Sequence, residues 1–217
     1  MNEIAHILSP SSAPWCGWIM LALLLCAVLS EAFQPGVILQ AKNSLSAQSD
    51  RMYKESPATF MGQLMIGFFR VGTIAMAIYL CCANEQTFTL AGFGVVYGIV
   101  LAVLGIKMLC HLFVDYTFSI SRRFGAPYEH YGNIATLATI ALYPVLLVLL
   151  RVGFPILNQW LIGSIGVAFL VVWFYHAWKQ FVAHPIAIPY MLIYSFTLEF
   201  LPWAALYVIS DKIVAII

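Results

Sequence analysis

Apolar residues in this chain gather in long runs instead of alternating as in a half-buried strand. The runs are roughly 17 to 25 residues, enough at 1.5 Å per residue to cross a hydrocarbon core about 30 Å thick. They predict membrane-spanning helices over residues 15–33, 60–83, 88–109, 134–152, 160–178 and 189–209. The first run has Trp15 and Phe33 at its ends, where membrane interfaces favour aromatics, and one acid, Glu31, near its exit. The second contains Arg70, the third continues into a polar extension, and the sixth carries Glu199 in its middle and Pro202 near its end. Pro144 interrupts the fourth, where it removes one backbone donor and predicts a kink. The fold class expected is therefore all-α: a polytopic helical membrane protein of about six spans and short loops, a single integral domain over residues 1–217.

The longest connection, residues 34–59, holds Lys42, Asp50, Arg51, Lys54 and Glu55. Its Ile38, Ala41, Leu45 and Met52 fall on one face of a helix, which suggests a segment lying along the membrane surface. The two halves of the chain do not align beyond general hydropathy, so symmetry gives no support to an inverted-repeat transporter. Residues 1–14 contain Glu3 and His6 but no Lys or Arg, so the positive region of a cleavable signal peptide is missing and the first span is expected to remain.

Composition sharpens this. The chain is 63% hydrophobic and only 9% charged, with ten Lys and Arg against nine Asp and Glu, a net charge of +1. There is no basic excess to neutralise nucleic acid phosphates, so nucleic acid is not expected as a partner, whereas membrane lipid is. The distribution of the few cations carries information. Lys42, Arg51, Lys54, Arg122, Arg123 and Lys179 fall in one set of loops and Arg151 and Lys212 on the other side. The positive-inside rule then places the first set in the cytoplasm and both termini outside.

With that topology His111, His130, His176 and His184 gather at or beyond the cytoplasmic ends of the third and fifth spans. Lys107, His111 and Asp115 are four residues apart, so they form one polar stripe on a helix in which Asp115 could orient the His111 imidazole. A metal site would draw on His111, Asp115, His176 and His184, with Glu129 and His130 nearby. The spacing matches no HExxH or histidine-box pattern, and interfacial histidines meeting headgroups or carbonyls are the simpler reading. No GxxxxGK[ST] or GxGxxG loop occurs and Gly163-Ser164-Ile165-Gly166 is not a nucleophile elbow, so no cofactor is expected and the chain leans away from being an enzyme. Gly94, Gly98 and Ala102 recur at four-residue spacing, the pattern by which membrane helices approach one another closely. Cys16 could pair with Cys81 or Cys82 in an oxidising compartment, although all five cysteines can pack as small apolar residues. The 15 Phe, 11 Tyr and 6 Trp read as lipid-facing and interfacial cover.

Arg70 and Glu199 are the charges most costly to bury, at least about 2.5 kcal/mol each near a bilayer centre, so each needs a partner. Each lies about ten positions, or roughly 15 Å, from the inner end of its span, so the two are expected to pair.

The last run, PYMLIYSFTLEFLPWAALY over Pro189 to Tyr207, resembles the C-terminal signature of an uncharacterised family, a domain of unknown function found in polytopic inner-membrane proteins of Gram-negative bacteria. The best match is Tyr194 to Pro202, a weaker likeness extends over residues 60–217, and the stretch before that looks specific to this chain. The resemblance implies a bacterial inner membrane and marks Glu199 and Pro202, but it supplies no activity. Three functions follow for testing. The favoured one is a non-enzymatic membrane subunit or accessory protein of an envelope complex with protein partners. The alternatives are a small proton-coupled transporter or channel using Arg70 and Glu199, and a lipid-active membrane enzyme with a cytoplasmic-face histidine site. Oligomeric state and partner identity are not encoded in any of these patterns.

Overall fold

The computed structural model of the protein describes residues 14–43, 59–82, 88–118, 127–152 and 155–181, with positions 202, 205, 208, 209 and 212. These residues are helical with short connections. The helices are α1 (Pro14–Phe33), α2 (Val37–Asn43), α3 (Phe60–Cys82), α4 (Leu90–Phe118), α5 (Pro127–Val152) and α6 (Pro155–Phe181). Local chemistry sets their starts. Pro14, Pro127 and Pro155 each open a helix, where a missing N–H costs nothing and the fixed φ is already helical. Thr59 and Thr89 cap α3 and α4, their hydroxyls accepting from the Gly62 N–H (3.3 Å) and the Gly92 N–H (3.1 Å).

Among the described residues, four helices are long and apolar enough to cross a membrane, over Pro14–Phe33, Phe60–Cys82, Leu90–Cys110 and Gly132–Arg151. They match the first four runs read from the sequence to within a few residues, and α6 has a shorter apolar stretch, Trp160–Val172. The sixth run lies mostly outside the described residues, which include helical Pro202, Val208 and Ile209. The chain is an all-helical membrane protein.

α3 is the centre of the bundle and packs against α1, α4, α5 and α6. Eleven of its residues are buried, among them Ile66, Phe69, Ala75, Met76 and Tyr79, spread around its circumference. An all-round apolar helix of this kind belongs inside, whereas α1 and α4 each bury one stripe and turn the rest outward. α1 and α3 run antiparallel. At one end the Thr59 hydroxyl donates to the Phe33 carbonyl (3.0 Å), and at the other the rings of Trp15 and Tyr79 lie 6.3 Å apart. Between them Gly72 lets Leu23 in so closely that a Cβ at Gly72 would collide with the Leu23 Cδ2 methyl. α5 joins on the other side, its Tyr143 hydroxyl donating to the Met20 carbonyl of α1 (2.8 Å) and its ring 5.8 Å from that of Phe69.

The connection after α1 differs in detail from the expected surface helix. Only Val37–Asn43 is helical among its described residues, and its buried positions are Val37 and Ala41, while Ile38 is exposed. Leu45 and Met52 lie outside the described residues. The displacement has a cause: α2 packs against α5 as well as facing outward, so protein contact selects its buried face. Glu31 sets the entry. Its carboxylate accepts from the Gly36 N–H (2.6 Å) and the Ile38 N–H (3.4 Å), and Gly36 turns the chain at φ +90°, a conformation glycine adopts without penalty.

Candidate functional site

Polar groups in an apolar bundle are the first place to look for chemistry, since each must be satisfied or used. Arg70 sits half-buried on α3. Its side chain folds back along the helix. Nε donates to the Ile66 carbonyl (3.4 Å) and a terminal nitrogen donates to the Gly132 carbonyl on α5 (3.2 Å). The charge is thus carried about one turn toward the Thr59 end of α3, shallower than the Cα position alone predicts. The Gly132 carbonyl also accepts from the Thr136 hydroxyl (2.8 Å), and buried Thr139 donates to the carbonyls of Ala135 (3.0 Å) and Thr136 (2.9 Å). On α3, buried Thr73 donates to the Phe69 carbonyl (2.7 Å). Glu199, the expected partner of Arg70, lies outside the described residues.

Lys107 is 4% exposed, so it belongs to the interior of α4 and not to an open surface. His111 and Asp115 follow on the same continuous helix, and His176 lies on α6, but the structure describes only their backbones; His184 lies outside the described residues. Among the described residues no cluster of three or more His, Cys, Asp or Glu is assembled. Cys16 is buried, Cys26, Cys81, Cys82 and Cys110 are half-buried, and all five are thiols and not disulfides.

The aromatics divide: Trp18, Phe60, Tyr116 and Trp160 are exposed, as outward-facing cover would be, whereas four others pack together. Trp15, Tyr79, Phe88 and Phe93 form one interior cluster, with Phe88 stacked on Tyr79 at 5.2 Å and Phe93 edge-on to it at 6.0 Å. Tyr79 is fully buried, and its hydroxyl is consumed by the α4 cap residue Thr89. A Tyr in a run of aliphatics followed ten residues later by a Thr cap was the available signal, but sequence gives no means of pairing the two across a turn.

The small residues expected to let helices approach lie on an outer face: Gly94, Gly98 and Ala102 are exposed, and a Cβ at Gly94 or Gly98 would meet no atom within 4 Å. α4 instead packs inward through Gly92, Phe93, Val96 and Val100. Ala91 and Gly105 extend the outer stripe, so Ala91, Gly94, Gly98, Ala102 and Gly105 form an exposed seam about 21 Å long. Large apolar side chains flank it, including Val95 and Leu101. Gly163 and Gly166 of α6 are likewise open, and Ser164 between them donates to the Leu161 carbonyl (2.8 Å). A groove of small residues rimmed by larger ones is the form a membrane helix presents to another helix.

Comparison with known proteins is sparse: no curated protein and no solved structure matches the chain. A family model described as a domain of unknown function, DUF4271, matches residues 17–209. That span includes nearly all of α1, so the first helix is part of the shared domain and not peculiar to this chain, as the weaker reach of the C-terminal likeness had suggested. Tyr79, Phe88 and Phe93 of the aromatic cluster, the Arg70 seat and the α4 seam all fall inside it, and the chain belongs to the family DUF4271.

Proposed function

We propose that the protein is a non-enzymatic subunit of a membrane complex, and that it offers the outer face of α4 to a transmembrane helix of a partner. The observation that carries this reading is the exposed seam of Ala91, Gly94, Gly98, Ala102 and Gly105. Glycine in a helix costs about 1 kcal/mol relative to alanine, so three glycines on a face that met only lipid would weaken α4 for no return. Against a partner helix the same residues allow backbones to approach closely and gain dispersion contacts. The described interior polar groups favour a scaffold over a reaction centre, since Arg70 and the buried threonines are engaged with backbone carbonyls. The complex is taken to be one of the bacterial envelope, the inner membrane being the setting that the family likeness implies.

The test is purification of the tagged full chain in mild detergent from its native membrane. Stoichiometric co-purifying protein, lost in Gly98→Leu while the variant stays monodisperse and helical, supports the reading. Retention of the same partner in Gly98→Leu overturns the assignment to α4, and substrate-dependent proton flux in proteoliposomes would move the function to transport through Arg70 and Glu199.

A further inference from the structure

A second surface feature lies apart from the α4 seam. An open groove of about 870 Å³ runs between α1 and α5. Gly17, Leu21 and Leu24 of α1 form one wall, Leu147 and Leu150 of α5 the other, and Arg151 stands at one end. The floor is fixed by the hydrogen bond from Tyr143 to the Met20 carbonyl. From Leu24 to Pro14 the α1 wall is about 15 Å long, comparable to one leaflet of hydrocarbon about 30 Å thick across both.

Both helices are membrane-spanning, so the apolar length of the groove lies in hydrocarbon and Arg151, the last residue of its apolar span, lies at the interface. A single exposed guanidinium at the mouth of an apolar channel is complementary to an amphiphile with a negative head and a hydrocarbon tail. The helix geometry adds to this, because Pro14 at the positive end of α1 lines the same mouth. We propose that this groove is a binding site for one anionic phospholipid, an acyl chain lying along Leu21, Leu24 and Leu147 and the phosphate held at Arg151. The usual role of a basic residue in a last helical turn, satisfying its own terminal carbonyls, predicts no preference among lipids.

Gly17 provides the decisive variant. A Cβ there meets nothing within 4 Å, so Gly17→Leu extends into the groove without a clash and obstructs the acyl-chain path beside Leu21. The purified full chain is reconstituted in bilayers of equal phosphatidylglycerol and phosphatidylcholine, re-extracted, and its retained lipid measured by native mass spectrometry. The wild type is expected to hold one phosphatidylglycerol in preference to phosphatidylcholine. Arg151→Gln should lower that preference by about fivefold, the factor one interfacial cation is worth. Gly17→Leu should remove the retained lipid of both kinds while circular dichroism stays unchanged. Retention equal for the two lipids in the wild type, or a phosphatidylglycerol adduct unaffected by both substitutions, overturns the site.

Discussion

The Tyr79 hydroxyl donates to the Thr89 carbonyl at 2.9 Å and accepts from the Thr89 N–H at 2.7 Å, closing a two-way bond between α3 and the first turn of α4. One side chain therefore satisfies the helix-entry N–H, costly to leave unmet in an apolar setting, and adds a second bond to a carbonyl that also accepts from the Phe93 N–H (3.1 Å). The same hydroxyl dictates Gly92, since a Cβ there would lie 2.8 Å from it.

Tyr79→Phe keeps the ring and removes both bonds, so the expected loss is about 1 to 3 kcal/mol, read as a lower melting temperature in detergent. Gly92→Ala should also destabilise the wild type. In the Tyr79→Phe background the alanine no longer meets the hydroxyl, and its cost should shrink. An undiminished cost there would mean that the ring carbon at 3.2 Å, and not the hydroxyl, sets the limit.

Gly72 and Leu23 form a second close pair across α1 and α3. Gly72→Ala is expected to cost about 1 to 3 kcal/mol through overpacking, and Leu23→Ala in the same chain should recover part of it by making room. Thermal unfolding of the two single variants and the double variant measures the recovery, and strict additivity would contradict the contact.

Arg70 and Glu199 are proposed to share one buried charge pair, with Arg70 also seated on the Gly132 carbonyl. Arg70→Ala and Glu199→Ala should each reduce folded yield by stranding the other charge, and the double substitution should be less damaging than the two losses summed, by about 1 kcal/mol or more. Additive losses would separate the two residues.

The cation distribution predicts that both termini face outside. Alkaline phosphatase fused at the C-terminus should be active and a fluorescent protein that folds only in the cytoplasm should stay dark there, with the opposite result for fusions placed between α4 and α5. Reversed signals would invert the orientation.

Hydropathy by itself determined the fold class and the position of the first four spans, because the length of a membrane helix is imposed by bilayer thickness and the content of the run by the cost of exposing polar groups to hydrocarbon. The helix starts at Pro14 and Thr59 rest on local backbone chemistry and lie within a residue of the run boundaries, whereas the start at Pro127 precedes the apolar run by seven residues and was not marked by hydropathy. Which face of a helix is turned inward is another matter. Before Lys107 α4 is apolar on every side, so no hydrophobic stripe distinguishes the face with Phe93 and Val96 from the face with Gly94 and Gly98. Only packing decided it: α3 supplies Tyr79 at the right height to receive Thr89, and that bond fixes the rotation of α4 and leaves its glycine seam outside. Arg70 shows the same division. Composition marked it as a charge in need of a partner, but the Gly132 carbonyl that meets it belongs to a helix 62 residues away, and a backbone acceptor has no signature in sequence.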